Sequence, residues 1–477
     1  MAGTPTSGTT LIKGGTVVSP TGQTPTEVLF DGETIVALLA PGSELALAAE
    51  RGAGAVIDAT GKLVVPGGID AHTHMEVPFG VTTASDTFET GTRAAAWGGT
   101  TTIIDFATQM KGQEIRPCLE TWMAKADGQC AIDYAFHMIV GDVTDASLKT
   151  MDALVDEGIT SFKLFMAYPG VYYADDGQLL RAMQTAAGNG AMIMMHAENG
   201  IAIDVLAEQA AARGDTAPIN HGYVRRAELE AEATFRAIQL AKVAGAPLYI
   251  VHLSAAEALE AVAAARHHGR NVFAETCPQY LYLNLEDHLG APGFEGAKYV
   301  CSTPLRSKHG PHQKDLWQGL RTNNLAVVST DHCPFCFKDQ KDLGLADFRD
   351  IPNGIGGVEH RMDLIWQGVV AGELTPERWV EVCSTTPARM FGLYGRKGVI
   401  APGADADIVL YDPNGTTTIG VATHHMNMDY SAYEGTVVQG RVDTVISRGR
   451  TIIAGGTYHG RAGDGRYVTR GLSQYLS

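Results

Sequence analysis

The sequence predicts an α/β protein in which a (β/α)8 TIM barrel carries a smaller β-sandwich domain built from both chain termini. Eight short apolar segments in the middle of the chain alternate with helix-like segments, which is typical of a parallel barrel. Both ends of the chain are rich in strand-forming residues and turns instead. The length of 477 residues fits this division, because single compact cores rarely grow so large.

The domain boundaries follow from these changes of pattern. Residues 1–62 are predicted to form the first part of the sandwich, and they include a hairpin that turns at Asp31 and Gly32. Residues 63–395 are predicted to form the barrel, and residues 396–455 the second part of the sandwich. Residues 456–477, which are rich in glycine and arginine, are expected to form a tail and a candidate oligomer contact.

The predicted strands and helices of the barrel indicate where its functional residues lie. The strands are 63–65 running on into two histidines, 101–106, 133–140, 161–165, 191–196, 248–252, 271–276 and 325–330. The helices between them are 86–97, 146–157, 176–187, 225–243 and 255–267. Active sites of such barrels lie at the carboxyl ends of the strands, so the residues there are the first candidates for function.

Composition narrows the class of partner. The formal net charge of −17 argues against nucleic acid and against an anionic membrane surface, so a small-molecule substrate is expected. No basic, apolar leader and no apolar stretch of membrane-spanning length is present in the sequence, which predicts a cytoplasmic protein. Cys333 and Cys336 form the one close pair among seven cysteines, and we interpret them as reduced thiols.

Metal-binding or charged side chains end or interrupt five of the predicted strands. They are His72 and His74 on the first strand, Lys163 on the fourth, His196 on the fifth, His252 on the sixth and Asp331 on the eighth. Alternate residues of a strand point to the same side, so His72 and His74 can share one metal ion. A lone histidine is more often structural, but five coincidences at equivalent positions favour one metal site.

Lys163 is an unusual residue inside an apolar strand. A purely structural interpretation is that its aliphatic stem is buried while its ammonium group reaches solvent. Burial and nearby cations would instead lower its pKa, and the neutral amine can add carbon dioxide to form a carbamate. This carboxylated lysine has two oxygens that can bridge two metal ions.

The other five candidate ligands divide between the two predicted metal ions. His72, His74 and Asp331 would hold one ion, while His196 and His252 would hold the other. Nitrogen and oxygen ligands favour zinc, with manganese or cobalt as substitutes. Two such ions make water nucleophilic at neutral pH, and Asp331 is placed to accept its proton and pass it to a leaving nitrogen. The residues therefore predict hydrolysis of an unactivated carbonyl–nitrogen bond, although Asp331 alone also fits the role of a turn cap.

Ten motifs across almost the whole chain resemble those of the cyclic amidohydrolases of the dihydropyrimidinase and hydantoinase family. They are DAHTHMEVPFG, GTTTIIDF, SFKLFMAYPGVYYADDG, MMHAENG, VHLS, AETCPQYL, YVCSTPLR, VVSTDHCPF, NGIGGVEHRM and PGADADIVLYDP. The resemblance implies the same six ligands, two zinc ions, a carboxylated Lys163 and usually a homotetramer.

The resemblance also implies three substrate contacts. Tyr168 would donate its hydroxyl to the developing oxyanion, and Ser302 and Asn353 would hold the cyclic substrate mainly through backbone groups. One departure is local, because Thr303 stands before Pro304 where the family often has two prolines. This departure affects the expected loop shape and leaves the expected role of Ser302 unchanged.

The expected substrates are dihydrouracil and dihydrothymine, 5-substituted hydantoins, or both, opened to N-carbamoyl amino acids. A dihydroorotase is disfavoured, because residues 75–79 offer no cation for a carboxylate. Allantoinase remains an alternative. Four apolar residues that we expect to shape the pocket favour a hydrocarbon substituent on the substrate ring. They are Val77, Phe79, Phe165 and Tyr172, and plain core packing also explains them. A second alternative is a non-enzymatic dihydropyrimidinase-like interaction protein, but such proteins lack the metal ligands.

Overall fold

The computed structural model describes residues 8–476, which form 21 strands and 14 α-helices. The strands are, in chain order, β1 (Thr9–Lys13), β2 (Thr16–Ser19), β3 (Gly22–Pro25), β4 (Glu27–Asp31), β5 (Thr34–Leu39), β6 (Ala55–Asp58), β7 (Leu63–Pro66), β8 (Gly68–Thr73), β9 (Pro78–Phe79), β10 (Thr82–Thr83), β11 (Thr100–Thr108), β12 (Asp133–Ile139), β13 (Ser161–Phe165), β14 (Met192–His196), β15 (Leu248–Ile250), β16 (Val272–Thr276), β17 (Val327–Val328), β18 (Ile408–Thr418), β19 (Val437–Ser447), β20 (Arg450–Ala454) and β21 (Thr457–Tyr458).

The helices alternate with the central strands, as the sequence predicts. They are α1 (Glu44–Gly52), α2 (Phe88–Trp97), α3 (Ile115–Ala126), α4 (Asp145–Asp156), α5 (Asp176–Asn189), α6 (Gly200–Ala212), α7 (Asn220–Val224), α8 (Ala227–Ala244), α9 (Ala256–His267), α10 (Pro278–Tyr282), α11 (His312–Arg321), α12 (Arg361–Val370), α13 (Pro376–Val380) and α14 (Thr386–Met390). Short 3₁₀ helices cover Glu295–Tyr299, Lys341–Gly344 and Phe348–Asp350, and π-helical turns cover Leu285–Leu289 and Glu381–Thr385. Within residues 8–476, no helix is long and apolar enough to cross a membrane.

Strand β8 and strands β11 to β17 form the barrel, which confirms the predicted fold class. The eight strands are parallel and lie in chain order around the sheet. A parallel bridge between Thr73 and His332 joins the last strand region to the first. Most barrel strands are buried along their whole length, because side chains fill the interior and helices cover the outside.

The sandwich consists of two sheets that draw strands from both ends of the chain. One sheet has the order β5, β4, β1 and β6, and the other has the order β21, β20, β19, β18, β7, β2 and β3. A buried apolar cluster lies between them, with Ile12 and Phe30 from the first sheet and Val64, Ile408 and Ile446 from the second. The two sheets therefore complete one core that the amino-terminal strands alone could not close.

The passage from sandwich to barrel lies a few residues beyond the predicted boundary at 62/63. Strand β7 pairs with β2 and β18, so Leu63–Pro66 belongs to the sandwich. The chain changes sheet at Gly67, where a Cβ atom would lie 2.0 Å from Thr101 Oγ1. Only glycine fits this close approach, so the apolar run and the histidine run form two separate strands. At the other boundary, β21 extends the sandwich to Tyr458.

A buried cluster of charges joins the two domains. The carboxylates of Asp133, Asp405 and Asp407 lie close enough together to suit a cation. The ammonium of Lys397 already lies among them, at 2.6 Å from Asp133, 2.9 Å from Asp405 and 2.6 Å from Asp407. A buried cation with three carboxylate partners is well compensated, so we interpret this cluster as a structural junction.

The carboxyl-terminal segment packs on its own barrel. The Val468 amide donates a hydrogen bond to the Tyr134 carbonyl at 2.8 Å, and Arg470 Nη2 donates to Ser161 Oγ at 2.9 Å. Tyr134 and Ser161 lie near the amino ends of β12 and β13, so the tail crosses the side of the barrel opposite the predicted site. Contact of the tail with a neighbouring subunit stays a prediction.

Candidate metal centre and active site

The predicted metal ligands lie together at the carboxyl ends of the barrel strands. His72 is on β8, Lys163 on β13 and His196 at the end of β14, and each is at most 2% exposed. His252 follows β15 at 1% exposure, and the Asp331 side chain follows β17 at 13% exposure. These side chains therefore share one largely buried region, within which only a few atoms face the barrel mouth.

Three donor atoms converge on one point. His72 Nε2 lies 3.2 Å from His74 Nε2 and 3.1 Å from Asp331 Oδ1. The distance from His74 Nε2 to Asp331 Oδ1 is 3.3 Å. Tetrahedral zinc with ligand bonds of about 2.0–2.1 Å requires ligand atoms roughly 3.3 Å apart. These three residues therefore fit one metal ion without rearrangement.

Electrostatics at this point also favour a cation. The Glu275 carboxylate accepts a short hydrogen bond from His72 Nδ1, which leaves Nε2 as the ring nitrogen that faces Asp331 and His74. Nδ1 of His74 and Nδ1 of His252 are buried without hydrogen-bond partners among the described residues. The Nε2 atoms of His72 and His74 also face the Asp331 carboxylate oxygen, and crowded acceptor atoms are costly without a positive charge between them.

Lys163 lies beside this group. Its Nζ atom is 2.8 Å from His72 Nε2 and 4.4 Å from the centre of the Phe106 ring. Burial lowers the pKa of Lys163 to about 8, although Asp331 and Glu275 act in the opposite direction. The uncharged amine that carbamate formation requires is therefore accessible near neutral pH.

The remaining two predicted ligands lie next to one another. The ring centres of His196 and His252 are 4.5 Å apart, and those of His72 and His252 are 5.5 Å apart. His196 Nε2 lies 2.7 Å from Glu198 Oε2, which leaves Nδ1 as its candidate metal-binding atom. Arg225 Nη1 donates to the same carboxylate oxygen at 2.7 Å, and this buried ion pair lowers the pKa of Glu198 to about 2 against the opposing effect of burial.

Glu275 is a central residue that the sequence analysis did not single out. Besides His72, its carboxylate accepts hydrogen bonds from Tyr249 Oη at 2.9 Å and from the His252 amide at 3.2 Å. It therefore orients two of the candidate ligands, as the second layer of a metal site commonly does. The available signal was an acidic residue inside the apolar strand 271–276.

Asp70 has a comparable supporting role at the first strand. Its carboxylate accepts hydrogen bonds from Thr330 Oγ1 at 2.6 Å and from the Thr330 amide at 3.1 Å. Thr330 precedes Asp331, so this contact fixes the end of the eighth strand against the first. The spacing between the two strands that carry His72 and Asp331 is thereby set by side-chain hydrogen bonds.

Three of the candidate residues have a left-handed backbone. The φ angles are 59° at Tyr168, 39° at His252 and 52° at Asp331. Residues other than glycine rarely adopt this conformation, and it clusters at functional sites where the surrounding structure enforces it. The backbone is thus held in energetically unfavourable conformations at three positions of the candidate site.

The predicted substrate contacts lie at the rim of the same region. Asn353 Nδ2 is 3.5 Å from Tyr168 Oη, and the Tyr168 ring centre is 5.4 Å from that of His196. Burial raises the pKa of Tyr168, while the nearby charge of Arg225 and the hydrogen bond from Asn353 act in the opposite direction. Tyr168 therefore keeps its proton at neutral pH and is able to donate a hydrogen bond.

The four residues expected to shape the pocket fall into two groups. Phe165 and Tyr172 stack with ring centres 5.0 Å apart, and Phe165 also stacks on His196 at 5.3 Å. Val77 and Phe79 belong to a separate apolar cluster with Phe335, beside the β9–β10 hairpin. The first group borders the candidate ligands directly, whereas the second contacts the segment after Asp331.

Comparisons with known proteins agree with this geometry. The amidohydrolase family model matches residues 63–452. A D-hydantoinase from Streptomyces coelicolor is 62% identical over 99% of this chain and 100% of its own length. A D-hydantoinase from Geobacillus stearothermophilus is 46% identical over 97% of this chain and 96% of its own.

Similarity extends to solved structures. The crystal structure of a dihydropyrimidinase from Brevibacillus agri NCHU1002 superposes with a TM-score of 0.93 and 47% sequence identity. The match covers 97% of this chain and 99% of the other. Both the sequence and the fold are therefore shared over nearly the full length. The chain belongs to the amidohydrolase family.

Proposed function

We propose that this protein is a binuclear-metal hydrolase of cyclic amides. It opens 5,6-dihydropyrimidines such as dihydrouracil and dihydrothymine to N-carbamoyl-β-amino acids, 5-substituted hydantoins to N-carbamoyl amino acids, or both. The observation that carries the proposal is the convergence of His72, His74 and Asp331, with Lys163 Nζ 2.8 Å from His72 Nε2. The D-hydantoinases and the dihydropyrimidinase to which the chain is similar support the choice of substrate.

The donor set suits two zinc ions, for which manganese or cobalt would be substitutes. His72, His74 and Asp331 would hold one ion, His196 and His252 would hold the other, and Lys163 would contribute to both as a carbamate formed with CO₂ or bicarbonate. When bound, the pair supplies the positive charge that makes water nucleophilic at neutral pH. As an ammonium, Lys163 would instead donate to His72 and repel both cations.

The protein's own side chains complete the reaction. Asp331 accepts the proton of the attacking water and returns it to the leaving ring nitrogen. Tyr168 donates its hydroxyl to the carbonyl oxygen as negative charge develops there. Ser302 and Asn353 hold the ring through backbone groups, so the reacting carbonyl meets Tyr168 in one orientation.

We further propose that the chain forms a homotetramer in the cytoplasm. Large apolar side chains are exposed on three neighbouring helices, with Ile201 on α6 at 52%, Tyr223 on α7 at 56% and Phe235 on α8 at 57%. Apolar surface of this kind is typical of subunit contacts. The net charge of −17 disfavours nucleic acid and anionic membrane surfaces as partners.

Ring opening of dihydrouracil, hydantoin and allantoin, measured side by side on zinc-loaded protein prepared with bicarbonate, tests the proposal. We expect dihydrouracil, hydantoin or both to open at least about tenfold faster than allantoin, because the apolar wall of Phe165 and Tyr172 disfavours the polar ureido group of allantoin. Faster opening of allantoin would assign the chain to the allantoinase alternative. A protein that retains no metal after zinc loading and opens none of the three would support an interaction protein.

Replacing Tyr168 with phenylalanine tests the role of its hydroxyl. We expect kcat to fall by about 10²–10³-fold with a much smaller change in KM, because the lost hydrogen bond strengthens only in the transition state. Tyr173→Phe is a matched control in the same loop, since the Tyr173 amide donates to the Tyr168 carbonyl at 3.2 Å and its hydroxyl has no proposed role. A rise in KM with kcat unchanged would make Tyr168 a binding residue only.

A further inference from the structure

A second buried lysine lies near the candidate site without belonging to it. Lys341 is 0% exposed and lies in the 3₁₀ helix Lys341–Gly344, between the segment that carries Asp331 and the segment that carries Asn353. Burial lowers its pKa to about 7. Burying such a group is costly unless each of its N–H groups has a partner, so the position of Lys341 calls for an explanation.

Its partners are three backbone carbonyl oxygens. Nζ donates to the carbonyls of Val300 at 2.9 Å, Pro352 at 2.6 Å and Gly354 at 2.8 Å. Only the protonated amine has three N–H donors, so the charged form matches this set completely. Hydrogen bonds from a charged donor are stronger than neutral ones, and these three link two separate segments of the chain.

Both segments carry proposed substrate contacts. Val300 is two residues before Ser302, and Pro352 and Gly354 flank Asn353 on either side. The two segments also meet directly, because the Gly354 amide donates to the Val300 carbonyl at 3.0 Å. Gly354 also packs closely against the segment after Asp331, since a Cβ there would lie 2.0 Å from the Cys333 carbonyl oxygen.

We propose that Lys341 is a positioning residue that fixes the Ser302 and Asn353 loops in the geometry that binds the cyclic substrate. This inference rests on the proposed function, which assigns substrate binding to the backbone of those loops. Lys341 touches neither substrate nor the metal-binding side chains. It acts by clamping the carbonyls next to the two contact residues, so that their remaining backbone groups present a fixed pattern to the ring.

The neighbouring residue extends the same anchor to the β9–β10 hairpin. Gln340 Nε2 donates to Thr82 Oγ1 at 2.7 Å and to the Thr83 carbonyl at 2.7 Å. Gln340 therefore secures the hairpin near Phe79, while Lys341 secures the two substrate loops. We assign fixation of the loops that bind the ring to Lys341 alone, because Gln340 contacts neither loop.

Lys341→Met removes all three donors while keeping an unbranched side chain. We expect KM for dihydrouracil and hydantoin to rise about tenfold or more, kcat to change by less than about threefold, and two metal ions per chain to remain. Lys338→Met is the matched control, because Lys338 is exposed in the same segment, and its KM should stay within about twofold. Lys341→Gln, which retains two donors, should give an intermediate KM and serves if the methionine variant does not fold.

Hydrogen–deuterium exchange provides a measurement that does not depend on turnover. Amides of 299–305 and 351–356 should exchange about tenfold faster in Lys341→Met, while those of β13 and β14 stay unchanged. If the wild type opens no cyclic amide, the proposed function fails and loop exchange alone decides the clamp. The inference is overturned if a folded, metal-loaded Lys341 variant keeps wild-type KM, or if its two loops exchange at the wild-type rate.

Discussion

Replacing Lys163 with alanine is expected to remove both metal ions and to lower kcat/KM by at least about 10³-fold. The variant loses the only proposed group that contacts both ion positions, and loss of several kcal/mol of charge stabilisation corresponds to a change of this size. Metal content measured by atomic emission, together with ring opening of hydantoin, checks the expectation. Because Lys163 is 1% exposed, its removal also leaves a small cavity, so folding is verified by circular dichroism.

Lys149→Ala is a suitable control for this experiment. Lys149 is exposed on α4, so the same chemical change there should leave metal content and activity at wild-type levels. Full occupancy by two ions and normal turnover in Lys163→Ala would refute the bridging carbamate. Mass spectrometry under native conditions adds a direct reading, since the carbamate adds the mass of one CO₂ to the wild type and nothing to the variant.

Replacing Asp331 with asparagine is expected to lower kcat by about 10²–10⁴-fold, the range for loss of a general acid–base group. The amide keeps the shape of the carboxylate but cannot accept the proton of the attacking water. It is also a weaker metal ligand, so the ion held by His72 and His74 should bind less tightly. Measuring kcat at saturating zinc, with metal content determined on the same sample, separates the two effects.

Asp339→Asn controls for the backbone at Asp331. Both aspartates have a left-handed conformation, with φ of 52° at Asp331 and 67° at Asp339, and asparagine accepts this conformation readily. Asp339 is exposed, so its replacement should be silent. A metal-loaded Asp331→Asn enzyme with kcat within tenfold of wild type would show that another group carries the proton.

Sequence alone predicted where the candidate ligands meet, for a simple physical reason. Parallel strands bring their carboxyl ends to the same face of a barrel, so polar residues that end apolar strands must lie near one another. His72, His74 and Asp331 have donor atoms 3.1–3.3 Å apart because of that rule. Among the predicted strands, 161–165 coincides with β13, whereas 325–330 shortens to Val327–Val328 in β17.

The partners of other residues could not be identified from the local sequence. Glu275 and Lys341 take part through contacts made by distant segments, and neither lies at a spacing that identifies a partner. Strand β7 was merged with β8 because only Gly67 separates them along the chain, whereas the structure assigns them to different sheets. In each case the missing information was which distant segment of the chain packs against the residue or strand in the folded protein.

The placement of β7 also has a consequence for the order in which the chain is made. Its antiparallel partner β18 begins roughly 340 residues later, so at roughly 5–20 residues per second the ribosome needs about 20–70 s to supply it. During that interval one edge of an apolar strand containing Val64 and Val65 has no partner, and such edges pair readily with other chains. The yield of newly made, soluble protein should therefore depend on how soon β18 follows the completed barrel, with slow elongation over the late part of the chain favouring aggregation.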